Sequence, residues 1–215
     1  DDKDAAVICK LTGDGTFVRF PFLKHPFVAL RLLTTHRNRL AIEQTRLKNR
    51  LQGLLDLSWP EFLDHFYTVK KATAIALLER WPLPSDLRAA SPAAIRKLAA
   101  RASRGHYGAA EVAALLDSAR HTIGLTQAPT ERRLEMELLL ARWALLRDQI
   151  EQVEAAIGGH VATCPEGQLL MTMPSVSEVC AATILAELGV PEDYEHPRQI
   201  LKLAGWPDAE KSAKD

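Results

Sequence analysis

The chain opens with the letters DDKDAA, which set two carboxylates at a spacing that suits metal binding. On a helix, Asp1 and Asp4 are three residues apart and therefore share one face. Paired carboxylates are ligands for Mg²⁺, which serves many phosphoryl-transfer sites. The alternative is a solvated acidic helix N-terminus, which the helix dipole favours. Two carboxylates rarely complete a two-metal site, so the metal hypothesis needs further ligands from outside this segment.

A basic segment, RLLTTHRNRLAIEQTRLKNR, extends from position 31 to position 50. It sets six basic residues against the single acidic residue Glu43: Arg31, Arg37, Arg39, Arg46, Lys48 and Arg50. An excess of this kind suits the neutralisation of a phosphate backbone. The alternative is an ordinary solvated helix face. The excess of arginine over lysine and the scarcity of acidic residues four positions away favour phosphate, so the segment is predicted to bind nucleic acid.

A smaller basic group follows further along the chain. Its members are Arg96, Lys97, Arg101 and Arg104, with His106 and Tyr107 directly after them. A nucleic-acid contact with a stacked aromatic ring is one interpretation. A solvated surface is the interpretation that we favour.

The segment LLMTMPSVSEVCAATILAELG predicts the end of one helix, a tight turn at positions 174–177 and a second helix rich in small residues. This order resembles a helix-hairpin-helix, whose turn offers backbone N–H groups to a phosphate. In that motif the turn is usually Gly-hydrophobic-Gly, whereas Ser175 and Ser177 take both glycine positions here. Serine caps a helix well but crowds the backbone approach. A purely structural turn is therefore the alternative to phosphate binding by these serines.

The elements that must position these residues are helices. Alanine and leucine dominate and runs of β-branched residues are scarce, so we predict an all-α fold. Two long helices are expected over residues 27–57 and 130–157, with the second ending at Gly158. Shorter helices within residues 60–124 would form a compact cap, and Ser58 is predicted to cap the first of them.

Both long helices carry apolar residues at alternating steps of three and four, the 3.5-residue period of a coiled coil. In the first helix they are Leu30, Leu33, Leu40, Leu47, Leu51 and Leu54, interrupted by Arg37 and Gln44. In the second they are Met136, Leu139, Trp143, Leu146, Ile150, Val153 and Ile157. The simplest arrangement is an antiparallel coiled coil between the two helices. Pairing with another protomer is the alternative.

The composition narrows the class of protein. Of 215 residues, 47% are apolar, and 27 basic residues balance 27 acidic ones. A balanced total is compatible with a local basic surface. No apolar run approaches the roughly 18 to 20 residues that span a bilayer. The widely spaced Cys9, Cys164 and Cys180 are expected to be free, buried thiols of a cytoplasmic protein.

Taken in chain order, several segments resemble the DEDD-type insertion-sequence transposases, a family that includes bridge-RNA-guided serine recombinases and is related to the Piv-type invertases. They are DDKDAAVICKL, LRLLTTHRNRL with RLKNRL, SRGHYG, the coiled-coil seam, MPSVSEVCAATILAELG and HPRQILKLAGW. The first is similar to the T-D-x-x-D-A segment that closes the family's RuvC-like domain. The later segments are similar to its proline-Gly-hydrophobic-Gly turn, A-x-x-L-x-A-E helix and A-x-L-A-G-L segment. The resemblance runs nearly the length of the chain.

The resemblance implies roles for residues at both ends of the chain. Asp1 and Asp4 would be the last two acids of the DEDD set and would bind Mg²⁺, with the other two acids supplied upstream. Ser212 is the candidate for the family's serine nucleophile. The tail PDAEKSAKD departs from the family's Ser-Gly pair, which weakens that assignment.

The resemblance also implies a domain order and partners. Residues 1–26 would close the RuvC-like domain, 27–160 would form a coiled-coil linker with a helical insertion, and 161–215 would begin the C-terminal transposase domain. In the complete enzyme these domains exchange DNA strands, with a guide RNA, in a dimer or tetramer. The 215-residue chain itself is expected to be a fragment without recombinase activity.

The alternative function is a non-enzymatic helical scaffold that binds nucleic acid or self-associates through the coiled coil. The reading frame upstream of Asp1 distinguishes the two hypotheses. A β-rich segment with an early Asp and a later Glu would indicate the enzyme, whereas a natural start at Asp1 would indicate the scaffold.

Overall fold

The structure is a computed structural model that describes residues 2–15, 25–189, 193–194, 196–203 and 205. Across these ranges there are eleven helices and no strand, so the predicted all-α fold is confirmed. None of the helices in the described part of the chain combines the length and apolar character needed to cross a membrane.

Two helices are far longer than the rest, as the sequence predicts. In chain order the helices are α1 (Asp2–Gly13), α2 (Phe27–Ser58), α3 (Phe62–His65), α4 (Ala72–Arg80), α5 (Pro84–Ala89), α6 (Pro92–Ala102), α7 (Ala109–His121), α8 (Pro129–Thr163), α9 (Pro165–Met171), α10 (Glu178–Leu188) and α11 (Pro197–Leu203).

The chain divides into two compact units, with boundaries inside α2 and α8. The central unit is Thr35–Ala155, and the terminal unit combines Asp1–Thr34 with Ala156–Asp215. The three functional domains inferred from the sequence stay a prediction.

In the central unit, the apolar seams of α2 and α8 contribute to one hydrophobic core. Its buried members on the two helices are Leu40, Leu47, Leu51, Leu54, Leu55, Met136, Leu140, Trp143 and Leu146. Two ion pairs show that the helices run in opposite directions, because Arg37 near the start of α2 bonds Glu154 while Glu43 bonds the earlier Arg142. The finer expectation, coiled-coil packing of side chains, stays a prediction.

Helices α3 to α7 complete this core with a row of aromatic rings. Trp59, Phe62 and Phe66 are fully buried, and successive ring centroids lie 4.8 Å apart. The Tyr107 ring stacks on Phe66 at 5.2 Å. Burial of large rings at these separations stabilises a core beyond the area that they remove from water.

The two ends of the helical segment between α2 and α8 meet. The Leu125 amide donates to the Leu57 carbonyl oxygen at 2.8 Å. The Glu61 carboxylate accepts from the Thr122 hydroxyl at 2.6 Å and from the Ile123 amide at 2.9 Å. These bonds satisfy backbone groups that would otherwise be unpaired between the helices.

The terminal unit has a smaller core, to which α10 contributes small side chains. Ala181, Ala182, Leu185 and Ala186 are buried, as are Ile157 and Val161 on α8. Gly167 on α9 meets the end of α8 so closely that an added Cβ would lie 2.6 Å from the Val161 carbonyl oxygen. A side chain of any size at position 167 would therefore force the two helices apart.

Three local expectations are wrong. Ser58 does not begin a helix: it is the last residue of α2, where its buried hydroxyl donates to the Leu54 carbonyl oxygen at 2.7 Å. Helix α8 does not end at Gly158 but continues to Thr163, because burial of the following turn outweighs the cost of about 1 kcal/mol per helical glycine. Of the cysteines expected to be buried, Cys164 is, whereas the other two are exposed.

Candidate nucleic-acid interface

Three arginines of α2 form a stripe on one face of the helix. Arg39, Arg46 and Arg50 are spaced by seven and four residues, which brings them into line on a 3.6-residue helix. All three are exposed, on a face about 100° around the helix from the buried leucines that face the core. Their Cα positions are separated along the axis by about 10 Å and about 6 Å, from a rise of 1.5 Å per residue. We refer to Arg39, Arg46 and Arg50 as the α2 arginine stripe.

The charge of the stripe is not compensated within the described residues, where no ion pair or hydrogen bond engages these three side chains. The acidic residue nearest in sequence, Glu43, is instead paired with Arg142 of α8 at 3.6 Å. Three free guanidinium groups along one helix face suit a chain of phosphates, since each phosphate that they neutralise releases counterions.

A shallow groove of about 190 Å³ adjoins the stripe. Its lining residues are Glu43, Arg46, Leu47, Arg50 and Arg142. Sequence reasoning missed Arg142, because it lies on the other long helix and nothing in the order of residues places it beside α2. Its guanidinium pairs with Glu43, so the groove carries the arginines Arg46, Arg50 and Arg142 against one carboxylate.

The other basic residues predicted on α2 are not part of the stripe. Arg37 donates from Nε and Nη2 to one carboxylate oxygen of Glu154, at 2.9 and 2.8 Å, and is half-buried. This bond explains how an arginine occupies the apolar seam. Arg31 bonds the Glu187 carboxylate at 3.3 Å in the terminal unit. Lys48 is half-buried and lies on a different face, since two residues correspond to about 200° of rotation.

The second basic group lies on and just after α6. Lys97 and Arg101 line a groove of about 500 Å³ together with Arg80 and Trp81 of the α4 end. Tyr107 does not serve as a stacking surface there, because its ring is already packed on Phe66. Burial, together with the nearby Glu111 carboxylate, raises the pKa of Tyr107 to about 12. Trp81 is half-buried and packs against the core.

The turn between α9 and α10 has the conformation that the glycine pattern requires. Ser175 has φ of 68°, in the left-handed region that glycine occupies most readily. Ser177 is the N-cap of α10, and its hydroxyl oxygen accepts from the Cys180 amide at 3.2 Å. Both serines are exposed. The Ser177 hydroxyl thus satisfies the helix end, while binding of phosphate by either serine stays a prediction.

The predicted metal ligands and nucleophile are only partly within the described residues. Asp1 and Ser212 lie outside them. Asp4 is exposed on α1. Within the described part of the chain, no three His, Cys, Asp or Glu side chains come close enough to hold a metal ion. Asp4 therefore offers one carboxylate, and a Mg²⁺ site containing it needs ligands that the described residues do not bring to it.

Residues 167–214 match the model of the IS116/IS110/IS902 transposase family. The matched segment begins in α9 and includes α10 and α11 with the serine turn between α9 and α10. No curated protein matches the chain. The match of this C-terminal segment supports an insertion-sequence transposase.

Proposed function

We propose that this chain acts in transposition of an insertion sequence and binds nucleic acid through the α2 arginine stripe. Two independent observations support the proposal. The match of residues 167–214 to a transposase family indicates the process. The uncompensated charge of Arg39, Arg46 and Arg50 on one exposed helix face indicates the surface, and this second observation carries the binding role.

The stripe contacts the phosphate backbone rather than base edges. Its three side chains lie along a single exposed helix face, beside the leucines that are committed to the core. Backbone contacts of this kind fix position without reading sequence. Recognition of the DNA sequence at the ends of the insertion sequence then comes from other contacts or from a guide RNA.

The experiment is a salt titration of binding to duplex DNA and to structured RNA, with the wild type compared with the Arg39→Gln/Arg46→Gln/Arg50→Gln variant. Loss of three phosphate contacts should reduce the slope of log K against log salt by roughly 2 to 3, at about 0.7 to 0.9 per contact. The exposed positions of the three side chains mean that the variant keeps the fold.

A matched pair on the same helix makes the comparison sharper. Arg46→Gln should flatten the slope by about 0.7 to 0.9, whereas Lys48→Gln, two residues away on another face, should leave it unchanged. Equal slopes for Arg46→Gln, Lys48→Gln and the wild type would remove the stripe from the binding surface.

The family resemblance extends this proposal to the chemistry. Asp1 and Asp4 would contribute carboxylates to a Mg²⁺ site of a DEDD-type recombinase, and Ser212 would be the nucleophile for strand exchange. Bound Mg²⁺ neutralises charge on the reacting phosphate. We test these assignments by magnesium titration calorimetry of Asp4→Asn and by DNA joining with Ser212→Ala in an active transposase. Unchanged magnesium affinity or unchanged joining would contradict the respective assignment.

We also propose a guide RNA and a dimeric or tetrameric assembly. Exposed apolar side chains on α8 support self-association, since Leu134, Leu138 and Leu145 are more than half exposed. Light scattering that gives a monomer mass, or purification without bound RNA from cells expressing the element, would contradict these two proposals separately.

A further inference from the structure

A second basic cleft lies in the central unit, and Ser58 at the end of α2 is one of its lining residues. It has a volume of about 510 Å³ and is walled by α5, the α7 end and the start of α8. Four arginines line it against a single acidic residue, Asp86: they are Arg88, Arg120, Arg132 and Arg133. No residue of the α2 arginine stripe belongs to it.

Two of these arginines are held in place by the protein. Arg133 forms an ion pair with Asp86, whose carboxylate also accepts from the Leu83 amide at 3.2 Å. Asp86 is thereby fixed at the start of α5, and it fixes Arg133 in turn. Arg132 donates from Nη1 to the Leu125 carbonyl oxygen at 3.2 Å. Because that acceptor is neutral, Arg132 is oriented and keeps its full positive charge.

The other two arginines are free. Arg88 and Arg120 are exposed, and neither side chain has an ion pair or hydrogen bond with any of the described residues. The acidic residues nearest to them in sequence already have other partners: Asp86 pairs with Arg133, and Asp117 contacts the His121 ring at 3.2 Å. Orienting some guanidinium groups and leaving others unpaired is the arrangement that suits a phosphate ester, which accepts several charge-assisted hydrogen bonds.

The cleft adjoins a second hollow on the other side of Arg120. Arg120 also borders a neighbouring hollow of about 440 Å³, which Arg96 of α6 lines together with residues of α7. The two hollows therefore share Arg120 and form a positively charged path across the outside of α7. Two adjoining hollows with arginines in both fit a polymer of phosphates better than a single small anion.

We propose that this path is a second nucleic-acid site, which binds the phosphodiester backbone of a DNA or RNA strand along Arg132, Arg88, Arg120 and Arg96. The inference shares the nucleic-acid role of the proposed function, but it stands on different residues. Failure of the α2 arginine stripe would leave it intact, and the reverse also holds.

The test uses the whole chain and fluorescent single-stranded probes of one sequence, as DNA and as RNA, about 20 nucleotides long so that both hollows are filled. The cleft variant is Arg88→Gln/Arg120→Gln. The matched control is Lys70→Gln/Lys71→Gln, which removes two exposed positive charges that do not line either hollow. Circular dichroism melting shows that each variant is folded.

For the cleft variant, the slope of log K against log salt should fall by about 1.4, at about 0.7 per single-strand phosphate contact. Between about 50 and about 200 mM salt, its affinity relative to the wild type should then change roughly sevenfold. The control should match the wild type. A larger effect with the RNA probe than with the DNA probe identifies RNA as the strand, and the opposite result identifies DNA.

The Arg88→Lys/Arg120→Lys variant separates charge from geometry. It should keep the salt slope and lose affinity, because lysine retains the charge without the guanidinium fork. Equal salt slopes for Arg88→Gln/Arg120→Gln and the control Lys70→Gln/Lys71→Gln would overturn the second site. If the cleft variant flattens the salt slope and the triple variant of the α2 arginine stripe does not, the second site stands and the stripe is rejected. If only the stripe variant flattens the slope, the second site alone is rejected.

Discussion

The close approach between residues 122–125 and the end of α2 can be tested by adding one methyl group. In Gly124→Ala, the new Cβ would lie 2.5 Å from the Ser58 carbonyl carbon and 3.0 Å from the Trp59 nitrogen, and closer still to the Ser58 oxygen. Carbon atoms pack best at about 3.5 to 4.0 Å, so the overlap is on the order of 1 Å. All of these atoms are backbone, and no side-chain rotation can relieve it.

The backbone must therefore move, and the hydrogen bond from the Leu125 amide to Leu57 is the first contact at risk. Overpacking of this kind costs about 1 to 3 kcal/mol, and a lost backbone hydrogen bond costs about 0.5 to 1.5 kcal/mol. We expect Gly124→Ala to lower the free energy of unfolding by about 2 to 4 kcal/mol. For a chain of this length, Tm should fall by roughly 5 to 15 °C.

The same substitution at Gly53 is the matched control. Gly53 is exposed within α2, and an added Cβ meets nothing within 4 Å. Alanine there should stabilise the protein by up to about 1 kcal/mol, since glycine is the poorer helix former. Thermal unfolding followed by circular dichroism measures both variants. Equal Tm values for Gly124→Ala and the wild type would refute the close approach that the structure shows.

Two further predictions concern the central unit. Ile150→Asp should destabilise it by about 2 to 3 kcal/mol, because a carboxylate replaces a half-buried side chain packed on the core. Gln152→Asp at an exposed position of α8 should change stability by less than about 0.5 kcal/mol, and equal urea midpoints for the two variants would contradict this prediction. Burial raises the pKa of Glu61, but the hydrogen bonds from Thr122 and Ile123 outweigh burial and lower the pKa below 4.5. The ionised Glu61 carboxylate therefore stabilises the folded protein above pH 4.5, and this contribution is lost as pH falls through the lowered pKa. The stability difference between the wild type and Glu61→Gln should accordingly shrink between neutral pH and pH below that value, and a difference independent of pH in urea unfolding would contradict the assignment.

The sequence by itself determined the features that depend on local periodicity. Steps of three and four between apolar residues place Leu47, Leu51 and Met136 on the buried faces of two long helices, and the structure buries them. The spacing of Arg39, Arg46 and Arg50 places them on one face for the same reason. The start of α10 after Ser177 followed from a side chain that accepts a hydrogen bond from an amide three residues later. Each is a property of a few neighbouring residues.

The tertiary structure alone decided which distant residues come together. Arg142 joins the α2 stripe from the other long helix, and the second basic cleft collects arginines from the ends of three helices. Gly158 carries the local signal of a helix end, yet burial of the turn that follows keeps it inside α8. A local propensity is worth at most about 1 kcal/mol per residue, whereas burying one large apolar side chain is worth about 1.5 to 3 kcal/mol. Where the two conflict, packing decides, and packing is set by residues that lie far apart in the sequence.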